Sequence, residues 1–313
     1  MKTLRELLKE GESRLVEHGI ENSTMEARIL LQHICDFDWA RYLMQADTEA
    51  DPQEEYKYLK LIDQRCTHYP LQYILGSADF MGIDFMVNDS VLIPRLDTEV
   101  LVETILEKAN IENGSFLDMC TGSGCIAVSL MVHGKFAKGI GVDVSKRALD
   151  TARLNGFFNR DAWMKDGRDT NSLLWIHSNL FEEVVGEGID EQFDLIVSNP
   201  PYIPGEVVDT LMPEVRDHEP RLALEAADGG LEFYKKITKE AVNRIKPEGW
   251  LFYEIGCEQG EAVSQILKEN GFKDVHTVKD LAGLDRVVYG RACSPWRSCM
   301  CAATATKPPI PRA

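Results

Sequence analysis

The stretch that most constrains this chain runs from Phe193 to Pro204, FDLIVSNPPYIP, where a buried-strand pattern meets a rigid polar turn. Phe193, Leu195, Ile196 and Val197 form a short apolar run of the kind found in a strand covered on both faces. Asn199 then precedes two prolines, so a polar side chain is placed at the carboxyl end of that strand. Pro200 and Pro201 have fixed φ and no N–H, and a residue before proline is pushed out of the helical region, which stiffens the turn before any ligand arrives. In open α/β sheets, ligands bind in the crevice at the carboxyl ends of the strands. The Asn199 side-chain oxygen and the Pro200 carbonyl are two acceptors able to converge on a planar NH₂ group, with the Tyr202 ring offered against its plane. No general base is recognisable beside them. A plain Asn-Pro turn closing a strand is the alternative reading.

The rest of the chain alternates in a way that suits such a strand. Thr3 with Glu6 and Ser23 with Glu26 read as capping boxes opening helices, and Asp51-Pro52 as a cap with a first-turn proline. Leu59, Ile62 and Cys66 form the expected inner stripe of the helix that follows Pro52. Residues 1–72 therefore read as a small helical bundle. Residues 73–92 carry Gly76, Gly82 and Asn88-Asp89 between short apolar runs, the pattern of a β-hairpin linker. Asp97 or Thr98 is expected to cap the next helix, and Arg95 with Glu99 to form an exposed ion pair at its start.

From residue 93 to 291, strands and helices alternate, the signature of an α/β, doubly wound, mostly parallel sheet. Phe116 to Met119 is a strand, Cys120-Thr121-Gly122-Ser123-Gly124 the turn, and Ile126 to Val132 a helix. Glycines at Gly122 and Gly124 let backbone pass close to a ligand. The next strand ends in Asp143, about 20 residues on, where an acid can accept both hydroxyls of a ribose. A nicotinamide site uses similar parts, but the third glycine of its GxGxxG pattern is missing here. Residues 292–313 have no periodicity and read as a disordered tail or foreign extension.

The formal net charge is −17 with a pI of about 4.9, which opposes a broad footprint on a polyphosphate backbone. The charged amino terminus and the lack of a long apolar run exclude a signal peptide or membrane span and lead to a cytoplasmic expectation. Eight cysteines without a CxxC suit a reducing compartment, and no metal site is expected. A monomer is the expected state.

Asn199-Pro200-Pro201-Tyr202 resembles the terminal motif of amino-group methyltransferases. With FDLIVSNPPYIP, EVRDHEPRLAL (Glu214 to Leu224) and DGGLEFYKKI (Asp228 to Ile237), the chain resembles the HemK/PrmC family over residues 1 to 291. The resemblance implies a class I methyltransferase-like fold with a seven-stranded sheet, S-adenosyl-L-methionine as cofactor, and methylation of a glutamine side-chain amide in peptide chain release factors. It implies that the amino-terminal bundle serves release-factor recognition. It implies a catalytic Asn199, Pro200, Pro201 and Tyr202. It further implies a cofactor site of Asp118, Cys120, Thr121, Gly122, Ser123, Gly124, Asp143, Asn179, Leu180 and Asn199.

Two positions depart from the family pattern. Cys120 stands where glycine is common, which a thiol should tolerate only with negative φ. Asn179 stands where aspartate is typical, leaving an uncharged acceptor for an adenine amino group. Residues 157–179 are longer and more polar than the usual link. Asp118 either meets the amino-acid end of the cofactor or braces the turn. The rival readings are an adenine N6 methyltransferase acting on a flipped base and a noncatalytic module binding cofactor or release factor.

Overall fold

The computed structural model describes residues 2–165, 167–186 and 192–293. The elements in chain order are α1 (Leu4–Glu17), α2 (Ser23–Cys35), α3 (Trp39–Gln45), α4 (Pro52–Arg65) and α5 (Leu71–Leu75), then β1 (Ser77–Phe80) and β2 (Ile83–Met86). They continue as α6 (Leu96–Lys108), β3 (Ser115–Met119), α7 (Cys125–His133), β4 (Lys138–Asp143), α8 (Lys146–Met164), β5 (Leu173–His177), α9 (Glu182–Gly186) and β6 (Phe193–Ser198). The last are α10 (Gly205–Val208), α11 (Pro213–His218), α12 (Glu232–Arg244), β7 (Ile245–Glu254), α13 (Gly260–Glu269), β8 (Phe272–Lys279) and β9 (Asp285–Ala292).

Helix α1 opens with the expected capping box: the Thr3 side chain accepts from Glu6 N, and the Glu6 carboxylate accepts from Thr3 N. Helix α4 starts as read, with the Asp51 carboxylate accepting from Gln53 N and Glu54 N. Helix α2 does not use the box read at Ser23 and Glu26. Its N-cap is Asn22, Ser23 Oγ donates back to Ile20 O, and the Glu26 carboxylate is drawn inward to Arg65. The inner face of α4 is also rotated from the expected stripe. Tyr58, Ile62 and Arg65 are buried, while Leu59 and Cys66 are only half-buried. The cause is Tyr58, which fills the bundle centre and donates to Ala27 O at 3.2 Å. Leu7, Leu15, Leu30 and Ile62 complete this separate core.

The linker is a two-stranded antiparallel hairpin with Phe80 opposite Ile83. Met81 and Gly82 turn it with φ of 54° and 69°, the positive pair that matches the right-handed twist of the strands. The boundary read at residue 72 falls inside α5, so the bundle runs a turn further.

The main sheet has the order β5-β4-β3-β6-β7-β9-β8. Strands β5 through β7 are parallel, and β9 pairs antiparallel with both β7 and β8. Side chains alternate between two cores. Phe116, Leu195 and Val197 face α6 and α7, while Leu117, Ile196 and Tyr253 face α12 and α13. Both faces are therefore dry along Leu195–Val197, which is why the middle of β6 reads as apolar. The expected seven-stranded doubly wound sheet preceded by a helical bundle is the observed fold. The tail read at 292–313 lies, beyond Cys293, outside the described residues.

Candidate functional site

The strand order reverses beside β3, which pairs with β4 on one edge and β6 on the other. Met119 lies opposite Ser198, so the loop leaving β3 and the turn leaving β6 open side by side onto one crevice. Ser198 Oγ donates to Met119 O at 2.6 Å and ties the two exits together. An open-mouthed cleft of about 990 Å³, its mouth included, fills this position.

On the β3 side, Thr121 N bonds Val142 O at 2.9 Å, folding the loop back over β4. The Asp143 carboxylate accepts from Gly122 N at 2.9 Å and from Ser145 N at 2.8 Å. It thus joins two loops at the carboxyl end of β4. Burial pushes its pKa up, against the lowering effect of these backbone donors. Asp118 is wholly buried. Its Oδ2 accepts from the Thr121 hydroxyl and its Oδ1 has no partner. Burial raises its carboxyl to about 7.

Cys120 corrects an expectation: its φ is +63°, not negative. The chain must reverse immediately after β3, and the non-glycine residue takes a left-handed conformation that costs about 1–2 kcal/mol. Ser198 and the packing of Cys120 against the α12 side of the sheet accompany that conformation. Gly122 and Gly124, with φ of 55° and 78°, continue the turn where a side chain is poorly tolerated.

Past β5, Asn179 is exposed and its Nδ2 donates to Glu182 Oε1 at 2.9 Å. That bond holds the amide nitrogen away, so the oxygen is the end left for another donor. Leu180 follows at φ 53° and packs partly against the core.

On the β6 side, Asn199 is half-buried between the buried Ser198 and the buried Pro200 and Pro201. Its Nδ2 donates to Thr98 Oγ1 at 3.4 Å. Tyr202 points away from the cleft: its hydroxyl lies 3.5 Å from Glu254 Oε1, and its carbonyl accepts from Gln259 Nε2 at 3.1 Å. A Cβ on Gly230 would stand 2.2 Å from that carbonyl, so the residue must be glycine for the turn to seat.

Of the residues read as cofactor-binding, Cys120, Thr121, Gly122, Ser123 and Asp143 line the cleft. Asn179 and Leu180 line it further on, with Asn199 and Pro201 at the turn. Asp118, Gly124, Pro200 and Tyr202 are not in its lining; they support the segments that are.

Sequence reasoning missed several residues. Thr98 was read as a cap, but α6 starts at Leu96 with Arg95 at the N-cap, and no side chain caps it. Thr98 is instead buried in the cleft wall. Asp97 pairs with Arg286 at 3.1 Å. Arg95 pairs not with Glu99 but with Glu219 across the cleft, while Glu99 accepts from Met81 N at 2.6 Å. Glu219 is buried, which pushes its carboxyl up against the pull of Arg95. It anchors the lobe whose Pro220 and Leu222 line the cleft. The signal available for that lobe was the EVRDHEPRLAL run. Glu254, the acid closing the apolar strand GWLFYEI, is also buried behind the site.

A doubly wound sheet with a glycine-bearing loop, an acid after the second strand and an Asn-Pro turn at the switch point defines an enzyme of the class I methyltransferase type. Residues 6–76 match the PrmC N-terminal domain and residues 95–215 the methyltransferase small domain. A release factor glutamine methyltransferase of Geobacter sulfurreducens is 39% identical over 289 residues, spanning 92% of this chain and 96% of that protein. Another so named, from Clostridium botulinum, is 38% identical over 92% of this chain and 99% of its own length. A third, from Caulobacter vibrioides, is 38% identical over 90% of this chain and 93% of its own length. The chain belongs to the release factor glutamine methyltransferase family.

Proposed function

We propose that this enzyme transfers the methyl group of S-adenosyl-L-methionine to the side-chain amide nitrogen of the glutamine in the Gly-Gly-Gln motif of peptide chain release factors. The observation that carries this reading is the seating of Asn199 and the Cys120–Gly124 loop on one cleft at the strand-order reversal, in a chain of this family. Asp143 takes the ribose hydroxyls, Asn179 and Leu180 flank the adenine, and Asp118 braces the loop through Thr121.

A carboxamide nitrogen is a weak nucleophile because its lone pair is shared with its carbonyl. Asn199 Oδ1, at the cleft, accepts an amide hydrogen, raises electron density on nitrogen and lines it up with the sulfonium methyl, while the buried Pro200 stiffens the turn that carries Asn199. When bound, S-adenosyl-L-methionine would supply the methyl as an electrophile and leave as a neutral thioether with the electron pair of the broken carbon–sulfur bond, and the methylated amide would give one proton to water. The cleft supplies position and acceptors. The amino-terminal bundle, docked on α11 through Arg65 and Glu214, is suited to hold the protein substrate beside the cleft. Incubation with methyl-labelled cofactor, a release factor and DNA tests the reading: label should enter the factor and not the DNA.

A further inference from the structure

The Asn199 amide works only with its oxygen toward the substrate, and something must keep it from turning over. Its Nδ2 faces Thr98 Oγ1, and Thr98 is 2% exposed, on the first turn of α6. Behind Thr98, at the end of β7, Glu254 is also 2% exposed. Its Oε1 faces the Tyr202 hydroxyl, its backbone carbonyl accepts from Tyr234 Oη at 3.0 Å, and its Oε2 has no partner although fully enclosed. An enclosed carboxylate oxygen without a donor costs free energy unless it serves a neighbour. Thr98 carries the hydroxyl beside this carboxyl and pulls its pKa down, but it does not bond Oε2 in the resting structure.

We propose that Glu254 is a positioning residue that sets the direction of a hydrogen-bond relay, Asn199 Nδ2–H to Thr98 Oγ1 as seen here and Thr98 O–H turning to the unpartnered Glu254 Oε2 in the working enzyme, and thereby holds Asn199 Oδ1 toward the substrate amide. A hydroxyl has one hydrogen. When the ionised Glu254 takes it, Thr98 is left as an acceptor and selects the nitrogen end of Asn199. When Glu254 is protonated it can donate to Thr98 instead. Thr98 then donates onward, selects the oxygen end of Asn199, and the cleft receives hydrogens that face the substrate's own. Glu254 lines no part of the cleft and takes no proton from the substrate.

The groups facing Glu254 are Tyr202 from the turn, Asp97 with Thr98 from α6, Cys125 from α7, Tyr234 from α12 and Arg286 from β9. Burial outweighs Thr98, Arg286 and Tyr202 and raises the carboxyl to about 7, so the relay changes direction near neutral pH.

The inference rests on the methyltransferase reading, and the experiment separates the two. Steady-state methylation of a release factor is measured from pH 6 to 8.5, with S-adenosylmethionine affinity by calorimetry, for wild type, Thr98→Ser, Thr98→Val and Glu254→Gln. Wild type should show kcat rising through about pH 7. Glu254→Gln should lose that limb. Thr98→Val should lose about tenfold or more in kcat with cofactor affinity unchanged, and Thr98→Ser should retain most activity. Should Thr98→Val fail to bind cofactor, Thr98→Ser and the Glu254→Gln profile carry the decision. An unaltered limb in Glu254→Gln, or wild-type kcat in a cofactor-binding Thr98→Val, overturns the relay. A wild type that methylates no release factor overturns the parent reading instead.

Discussion

At the scale of single residues, the site depends on which groups already have partners. Asn199 was legible because a polar residue between an apolar strand and two prolines has few other reasons to be there. Its orientation was not legible, since that depends on Thr98, a residue 101 positions away in sequence. The place of Asp143 at the end of β4, on the cleft, was readable from its spacing, whereas its bridging of Gly122 N and Ser145 N was not. Cys120 went against expectation because a loop's geometry overrode the preference of its residue. If Asn199 grips the substrate amide, Asn199→Ala should lower kcat by about 10²-fold or more, on the scale of removing one preorganised polar contact, with cofactor affinity little changed. Asn199→Asp keeps an acceptor toward the substrate and should retain more activity than alanine. Equal loss in the two variants, or a loss carried by cofactor affinity, would count against the role.

At the scale of elements, the alternation of strands and helices from residue 115 onward could be read directly, because the central strands β3, β4, β6 and β7 are covered on both faces and carry short apolar runs. Helix starts were less legible wherever a polar residue had a distant partner. Ser23 and Glu26 have the spacing of a capping box, yet Glu26 is held by Arg65, 39 residues on. Thr98 and Arg95 have the look of a helix entry, yet both serve the cleft. Arg65 shows what such contacts hold. It is 3% exposed and bonds Glu26 in α2 and Glu214 in α11, joining the bundle to the lobe beside the cleft. The His218 ring adds a contact to Thr67 O at 3.2 Å. Replacing Arg65 by Met leaves Glu26 buried with no cation. The variant should lose about 3–5 kcal/mol of stability in urea unfolding, the cost of orphaning a buried charge. Double replacement of Arg65 and Glu26 by apolar residues should restore much of it. A single variant within about 1 kcal/mol of wild type would show that the pair does not hold the bundle to the lobe.

At the scale of the whole molecule, the balance of burial against charge has a pH signature. Asp118 and Glu254 both have carboxyls raised to about 7 by burial. A group whose folded pKa lies above its unfolded value contributes stability that is complete below the unfolded carboxylate range. That contribution is lost as pH rises through the folded value. These two residues should therefore make stability fall between about pH 4 and 7, and level off above. Asp118→Asn keeps an acceptor for Thr121 and cannot ionise, so its unfolding free energy should decline less steeply than wild type across that window. Parallel curves for the two proteins would show that Asp118 does not titrate on folding. Charge at this scale bears on the protein substrate we propose. A net charge of −17 leaves little attraction for a phosphate backbone, and the Asn-Pro turn accepts hydrogens from an amide as readily as from a base.

The measurement that tests the central claim most directly is the location of the methyl group. The enzyme is incubated with methyl-labelled S-adenosylmethionine and a release factor, and the digested factor is sequenced by mass spectrometry. The account predicts one added methyl on the side-chain amide of the Gly-Gly-Gln glutamine, no transfer to a factor with that glutamine replaced, and none to adenine-containing DNA. Undiminished labelling of the glutamine-replaced factor, or labelling of the DNA, would contradict it.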